Sequence, residues 1–355
     1  MKYNEKNPFM VSFSREPEEV ISRPDQAEKV VNTFTMEPVT DQIFMITGIR
    51  GAGKTVFMTS IANGLESRDD WMVIRCTPTG DILGYIASEL ARLSVTNQFN
   101  LQIEIPLPFS GRVELSKQQA YDNNLSIIDR TLDYLLKHGK HLLVTIDEVT
   151  NTEQMKEFAS AFQILIGKKY PIFFLGTGLY KNIQELKNEP NMTFLYRAPR
   201  INIGPLNMAA IARKYQMIFD ISIEEAAEMS KLTLGYSYAF QALGYSYWEH
   251  KPVKDMEPVL HEYDDMLDES AYSKMWSELS AVDRKICHAI AESEDSSVKT
   301  VREAAGMTSN QFTVYRERLK KQGLLNTSEY GKVAFALPRF AEFVKTRSLF
   351  YELPE

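Results

Sequence analysis

The sequence predicts an α/β protein in which a parallel sheet is followed by a helical segment and a small C-terminal unit. Short apolar strands alternate with amphipathic helices at first, which is typical of a parallel sheet covered by helices on both faces. The strand pattern ends near residue 206, and helical spacing replaces it as far as about residue 275. We therefore predict three parts, at 1–206, 207–275 and 276–355.

Four strand–helix pairs make up the first part. Each strand is short and apolar, and each helix repeats apolar residues every three or four positions. The strands begin at Ile43, Trp71, His141 and Ile172, and the helices follow at 55–65, 82–93, 155–166 and 179–186. Residues 95–116 interrupt this order. Their alternating pattern runs into Pro106 and Pro108, which predicts an inserted strand or hairpin of unassigned role.

The composition excludes several classes of protein. Of 355 residues, 44% are hydrophobic and 25% are charged, as in ordinary globular proteins, and the net charge of -7 argues against a basic nucleic-acid coat protein. Cys76 and Cys287 are too few for a disulfide scaffold or a Cys-rich zinc site, and they fit a reducing compartment. No apolar run reaches the length of a signal peptide or a membrane span, so we expect a cytoplasmic protein without a membrane partner.

A glycine-rich loop after the first strand carries the strongest motif. Residues 48–55 match G-x-x-x-x-G-K-[ST] in full, and a helix follows at once. In such loops backbone N–H groups and the positive end of the helix bind phosphate oxygens. We expect ATP or ADP as the bound nucleotide, with Lys54 reaching the β- and γ-phosphates of ATP and the Thr55 hydroxyl binding Mg²⁺. The predicted nucleotide-binding residues are Gly48, Ile49, Arg50, Gly51, Ala52, Gly53, Lys54, Thr55 and Val56.

An acidic pair ends the strand at 142–146. Ligands of open parallel sheets bind at the carboxyl ends of the strands. We expect Asp147 to hold Mg²⁺ through water and Glu148 to act as general base on the attacking water, which predicts an ATPase. Thr177 follows the next strand. It has two interpretations, a contact with the γ-phosphate or the attacking water, or a turn residue before Gly178.

The C-terminal pattern predicts a winged helix-turn-helix. Helices at 282–290 and 298–305 precede a third helix capped by Thr308 or Ser309, and apolar segments at 324–327 and 333–337 suit a hairpin. Residues 276–350 carry 12 basic and 9 acidic side chains, a net of +3, while the rest of the chain carries -10. This asymmetry favours duplex DNA as partner through residues 308–332. The candidate contacts are Asn310, Gln311, Arg316, Arg318, Lys320 and Lys321. The alternative is a module that packs against the lid or binds protein.

Taken together, these motifs resemble the AAA+ P-loop ATPases of the origin-recognition-like and STAND-related group, and in particular a bacterial family with a C-terminal winged helix. The matching segments are 7–9, 21–24, 48–55, 144–148, 176–179, 193–197, 235–238 with Gln241, and 324–338. The resemblance implies a three-layer AAA+ sandwich, a helical lid, and an N-terminal segment near the adenine. Arg197, and after it Arg200, is most similar to an arginine finger that acts on a neighbour's nucleotide in a homo-oligomer. The alternative for Arg197 is a surface salt bridge.

Some positions depart from the family's pattern. Ser22 stands where glycine is usual, and Ser237 and Tyr180 stand where proline is frequent. Residues 235–241 include no arginine to act as lid sensor, which implies slow hydrolysis rather than loss of binding. Two functions follow from the resemblance. One is an ATPase that couples nucleotide state to DNA, and the other is a STAND-type switch with slow or no turnover whose C-terminal unit binds protein.

Overall fold

The computed structural model describes residues 6–12, 17–95 and 117–350. The strand or hairpin predicted within 95–116 lies outside these residues. The described residues form two compact units. The sheet unit comprises 23–47 and 54–202, and the helical unit comprises the residues up to 22, 48–53 and the residues from 203 on. The three-part division at 206 and 275 stays a prediction.

Five parallel strands form the centre of the sheet unit, in the order β2-β3-β4-β1-β5. The strands are β1 Ile43–Thr47, β2 Trp71–Cys76, β3 His141–Ile146, β4 Ile172–Gly178 and β5 Arg200–Asn202. Strand β4 therefore lies between β1 and β3, with Thr47 opposite Gly178 and Ile146 opposite Gly176. The inner strands are almost wholly buried, as expected of a sheet covered on both faces. This register brings the ends of β3 and β4 to one edge.

Helices cover the sheet. They are α1 Pro24–Thr35, α2 Lys54–Glu66, α3 Ile82–Val95, α4 Lys117–Lys137, α5 Glu153–Gly167, α6 Tyr180–Glu185 and α7 Thr193–Arg197, with 3-10 turns at Leu186–Asn188 and Pro190–Met192. Thr152 caps α5 by accepting from the Met155 N–H. The sequence pattern did not predict α4, because its first turns are polar and its buried residues begin only at Ile128.

Residues 207–275 of the helical unit are largely helical, as their spacing predicts. The helices are α8 Met208–Phe219, α9 Ile223–Lys231, α10 Ser237–Glu249 and α11 Glu257–Leu267, and a π-helical turn at Asp268–Tyr272 leads into α12 Ser273–Glu278. Asn207 and Ser222 cap α8 and α9 with their side chains. Aromatic side chains fill the space between α8 and α10, where the Tyr215 hydroxyl donates to the Phe240 carbonyl at 2.7 Å.

The N-terminal segment is tied to α10. Phe9 is 2% exposed, and a side chain at Gly244 would overlap its ring. The Gln241 side chain accepts from the Met10 N–H at 2.9 Å and donates to the Glu19 carbonyl at 2.6 Å. One glutamine thus fixes two points of the N-terminal segment on the same helix.

Three helices, a hairpin and a final helix form the described C-terminal part of the helical unit. They are α13 Ala281–Ala291, α14 Val298–Ala304, α15 Ser309–Lys321, β6 Leu325–Asn326 and β7 Ala334–Phe335, followed by α16 Phe340–Phe350. Capping boxes at Ser280 and Thr308 start α13 and α15. Strands β6 and β7 pair antiparallel and are shorter than the predicted segments. No helix in the described part of the chain is long and apolar enough to cross a membrane.

Candidate functional site

The glycine-rich loop occupies the chain between the end of β1 at Thr47 and the start of α2 at Lys54. Gly51 and Gly53 have φ angles of +73° and +88°, a region that strains any residue with a side chain. The Ala52 N–H closes a turn onto the Ile49 carbonyl at 3.3 Å. This backbone is the strand–turn–helix connection that the motif predicts. We call residues 48–53 the phosphate loop.

The first turn of α2 reaches the acidic pair. The Thr55 hydroxyl donates to Asp147 Oδ2 at 2.8 Å, across the 92 residues that separate them in sequence. Lys54, the residue before, is only 9% exposed, although a lysine is rarely buried. The structure thus brings together Thr55 and Asp147, the two residues predicted to hold Mg²⁺.

Thr177 lies inside β4 and not after it, and it is fully buried. Its hydroxyl donates to Asp147 Oδ1 and accepts from the Glu148 N–H at 3.0 Å. Its carbonyl accepts from the Val149 N–H at 2.7 Å. The side chain therefore fixes the carboxylate of Asp147 and the backbone of Glu148.

Glu148 has a strained backbone and an exposed side chain. Its φ angle is +56°, in the left-handed region that residues other than glycine and asparagine rarely occupy. Such conformations cost about 1–3 kcal/mol and occur where the surrounding structure imposes them. Here the bond from its N–H to Thr177 holds the residue in that conformation. The side chain of Glu148 is thus exposed directly after the end of β3.

The residues present fit a magnesium–phosphate group. A hydroxyl and a carboxylate supply the oxygen ligands that Mg²⁺ prefers, and Mg²⁺ usually takes its other ligands from water and substrate phosphates. Within the described residues, no three His, Cys, Asp or Glu side chains gather as a metal site of their own. The phosphate loop also carries Arg50, whose Nε is buried without a hydrogen-bond partner in the described part of the chain.

Residues at the start of α10 hold the phosphate loop from within the helical unit. The Tyr236 hydroxyl donates to the Arg50 carbonyl and the Ser237 hydroxyl donates to the Ala52 carbonyl, both at 2.8 Å. The Tyr238 N–H donates to the Gly51 carbonyl at 3.0 Å. The sequence pattern predicts no role for these residues, because no spacing rule links 236–238 to the loop. The only indication of such a role in the sequence is that hydroxyl-bearing residues stand at the start of a helix, directly after a glycine.

The two arginines considered as fingers differ in their surroundings. Arg200 lies in β5, where its guanidinium donates to the Tyr196 carbonyl and stacks over the Tyr196 ring at 4.6 Å. Arg197 ends α7 and is exposed. The internal contacts of Arg200 leave Arg197 as the better candidate to reach another molecule.

The third helix of the C-terminal part, α15, uses part of its charge internally. Arg318 pairs with Asp283, a carboxylate that is only 5% exposed, and it stacks over Tyr315 at 4.7 Å. Arg316 is half-buried beside Glu317 at 3.6 Å. The sequence predicts both arginines as DNA contacts, whereas the structure shows Arg318 bound to Asp283 within the protein.

Other residues of α15 are exposed as predicted. Asn310, Lys320 and Lys321 are accessible, whereas the Gln311 side chain accepts from the Thr308 N–H at 3.1 Å in the capping box. Val314 is 68% exposed and Tyr330, in the hairpin, is fully exposed. The available surface thus mixes two cations at the end of the helix with apolar groups.

The turn after α15 approaches the phosphate loop within the helical unit. Gly323 has a φ angle of +81°, and a side chain there would overlap that of Ile49. Ile49 also packs against the core of this unit. A residue of the phosphate loop is therefore in direct contact with the C-terminal part.

Comparison with known proteins supports the architecture. The walker-type ATPase PABY2304 of Pyrococcus abyssi superposes with a TM-score of 0.61 at 16% identity, covering 92% of this chain and 97% of that one. The Aeropyrum pernix ORC2 protein, in ADPNP–ADP complexes, gives a TM-score of 0.55 at 13% identity, covering 96% and 98%. The described chain therefore has an α/β fold of the P-loop AAA+ type.

Sequence comparison adds less. A family model described as "Domain of unknown function (DUF8462)" matches residues 269–344, which include α13 to α15 and the hairpin. No curated protein matches the chain. At identities this low the structural likeness establishes the fold alone, so activity has to be argued from the residues.

Proposed function

We propose that this protein binds ATP and ADP with Mg²⁺ and hydrolyses ATP. The proposal rests on one observation, the hydrogen-bonded chain from Thr55 through Asp147 and Thr177 to Glu148 in the sheet unit. These hydrogen bonds join Thr55 to the acidic pair. The proposed metal ligands and the proposed general base are therefore held by one connected set of side chains. Isolated matches to either motif would not produce this connection.

Lys54 and the four hydrogen-bonded residues each have a distinct role in this proposal. Lys54 binds the β- and γ-phosphates, with the amides of the phosphate loop and Val56 beside it. Thr55 and Asp147 hold Mg²⁺, which neutralises phosphate charge during transfer. Glu148 accepts a proton from the attacking water. Thr177 is a positioning residue, because its buried hydroxyl is engaged by Asp147 and Glu148.

Turnover is proposed to be slow. The start of α10 presents Tyr236 and Ser237 to the phosphate loop, and no residue of 235–241 is an arginine. A lid cation that could stabilise the charge of the transferring phosphate is therefore missing from this segment.

The free, buried Cys76 and Cys287 suit a protein that works in the reducing cytoplasm.

Arg197 is proposed to act on the nucleotide of a second copy in a homo-oligomer. Its exposure and the internal engagement of Arg200 support this choice. Turnover per subunit should then rise with protein concentration, and mixing Arg197→Ala with Lys54→Ala should restore part of the activity. Arg200→Ala serves as the matched control. Turnover that is independent of concentration would contradict a finger supplied by a neighbour.

Coupling to duplex DNA through residues 308–332 of a winged helix is the finer part of the proposal. Three helices followed by an antiparallel hairpin have the layout of a winged helix-turn-helix, which places its third helix in the major groove. Exposed Lys320 and Lys321 supply phosphate contacts and Asn310 can read an adenine edge. The contact between Gly323 and Ile49 supplies a route from this region to the phosphate loop.

A specific observation favours a second candidate, a nucleotide switch whose C-terminal part binds protein. Val314 and Tyr330 expose apolar surface on the third helix and the hairpin. Tyrosine is enriched at the centres of protein interfaces. With Arg318 engaged by Asp283, the cationic surface is also smaller than the sequence implies.

A multiple-turnover ATPase assay with and without duplex DNA separates the two candidates. DNA-stimulated turnover supports the first, and Lys320→Ala/Lys321→Ala should reduce the stimulation while leaving basal turnover intact. Negligible turnover with nucleotide retained through purification supports the switch. Failure to bind either ATP or ADP in calorimetry would exclude both.

A further inference from the structure

Three consecutive residues of the lid donate to three consecutive carbonyls of the phosphate loop. Tyr236 and Ser237 use their hydroxyls, on Arg50 and Ala52, and Tyr238 uses its N–H, on Gly51. The N–H groups in the first turn of a helix have no partner within the helix, and here the loop carbonyl of Gly51 supplies one. All of these atoms belong to the helical unit.

Peptide geometry converts these bonds into an orientation of the loop. A trans peptide group holds its C=O and the N–H that follows it on opposite sides. The carbonyls of Arg50 and Ala52 share peptide groups with the N–H groups of Gly51 and Gly53. Because the carbonyls point to the lid hydroxyls, those two N–H groups point away from the lid. They belong to the two glycines with positive φ, whose conformation lets neighbouring amides converge on an anion.

The Tyr236 contact is close. A side chain at Gly51 would overlap the Tyr236 hydroxyl, and Tyr236 itself is 4% exposed. Burial raises the pKa of the Tyr236 phenol well above its usual range, so the group stays protonated as a donor. Gly51 is therefore required twice, once for its backbone conformation and once for the space that the phenol needs.

We propose that Tyr236 and Ser237 are positioning residues that preset the phosphate loop before nucleotide arrives. By holding the loop in its binding conformation they reduce the ordering that nucleotide binding would otherwise require. The effect on nucleotide rests on the proposed function, whereas the effect on the loop does not. These residues occupy the segment 235–241, which contains no arginine sensor, and they act on the loop rather than on the phosphates.

Matched variants test the proposal. Tyr236→Phe and Ser237→Ala each remove one hydroxyl that donates to a loop carbonyl. Tyr215→Phe and Ser246→Ala remove hydroxyls that donate to the carbonyls of Phe240 and Val259 in the same unit. These controls match the loss of a buried hydrogen bond without touching the loop. Ser237→Thr keeps the hydroxyl and should behave like the natural protein.

Hydrogen exchange without nucleotide gives the first readout, on the amides of Ala52 and Tyr238. Each loop variant should speed their exchange roughly 3- to 10-fold, the effect of one lost hydrogen bond, and should weaken binding of a non-hydrolysable ATP analogue by a similar factor. Unchanged exchange in Tyr236→Phe and Ser237→Ala, or an equal effect in Tyr215→Phe and Ser246→Ala, would overturn the proposal. Absence of analogue binding by the natural protein would overturn the proposed function, and the exchange result would still decide the role of the lid.

Discussion

The acidic edge of the sheet and the third helix of the C-terminal part use their charges in opposite ways. Asp147 is held by the hydroxyls of Thr55 and Thr177, which orient the carboxylate without neutralising it. Arg318 is held by Asp283, so the two charges compensate each other within the protein. The first arrangement orients a carboxylate with neutral hydroxyl donors, and the second pairs two opposite charges within the fold. Whether a charged side chain is paired with an opposite charge or with neutral donors therefore determines what role it can have.

The largest expected effect is on ATP affinity, at the site that includes Asp147. Lys54→Ala should abolish detectable ATP binding while the fold remains intact, because charge-assisted contacts to phosphate contribute about 1.5–3 kcal/mol each. Calorimetry measures the affinity, with Lys181→Ala, an exposed lysine of α6, as control. Unchanged affinity in Lys54→Ala would remove the basis for the nucleotide site.

The next effect separates binding from chemistry at the same edge. Glu148→Gln keeps the shape of the side chain but cannot accept the proton of water, so turnover should fall about 10²- to 10⁴-fold while ATP affinity is kept. Single-turnover kinetics and calorimetry measure the two quantities. Glu185→Gln, on α6, should change neither. Turnover at the natural rate would show that Glu148 is not the base.

On α15, removing Arg318 should affect stability. Arg318→Met leaves Asp283 buried without its cation, and we expect the free energy of unfolding to fall by about 1–3 kcal/mol. Lys320→Met on the same helix should leave it unchanged. Urea unfolding followed by circular dichroism compares the two variants. Equal stabilities would show that the Arg318–Asp283 pair contributes nothing net.

The smallest effect concerns the exposed lysines of α15. Lys320→Ala/Lys321→Ala should weaken binding to duplex DNA of any sequence and flatten the dependence of log affinity on log salt by about two, since each phosphate contact adds about 0.9 to the slope. Asn310→Ala should instead relax sequence preference. Fluorescence anisotropy across salt concentrations measures both. If the protein binds no duplex DNA in the presence of either ATP or ADP, the result favours the alternative in which the C-terminal part binds protein.

Local patterns predicted much of the fold and of the acidic edge. Apolar runs indicated the first four strands, and the two motifs brought Thr55 and Asp147 together because parallel strands end at one edge. Strand β5 has only three residues and leaves no pattern to detect. The apolar pattern of β4 ends before Thr177, whereas its pairing with β1 includes Thr177 and Gly178, an extent that the sequence does not show.

Long-range pairing accounts for the rest. Helical spacing located Arg318 on α15, but its partner Asp283 lies 35 residues earlier on another helix. The bonds from Tyr236 and Ser237 to the phosphate loop span more than 180 residues. No short-range rule connects such positions. The sequence therefore indicates which residues carry charges or hydroxyls, but not which of them form ion pairs or hydrogen bonds within the protein.

Ile49 stands at the first variable position of the phosphate-binding motif and touches the turn at Gly323. Equilibrium linkage makes any coupling through this contact reciprocal. If a partner of α15 displaces the turn and alters nucleotide affinity by some factor, nucleotide must alter the partner's affinity by that same factor. Measuring either one therefore gives the other, and a factor of one would show that the contact transmits nothing.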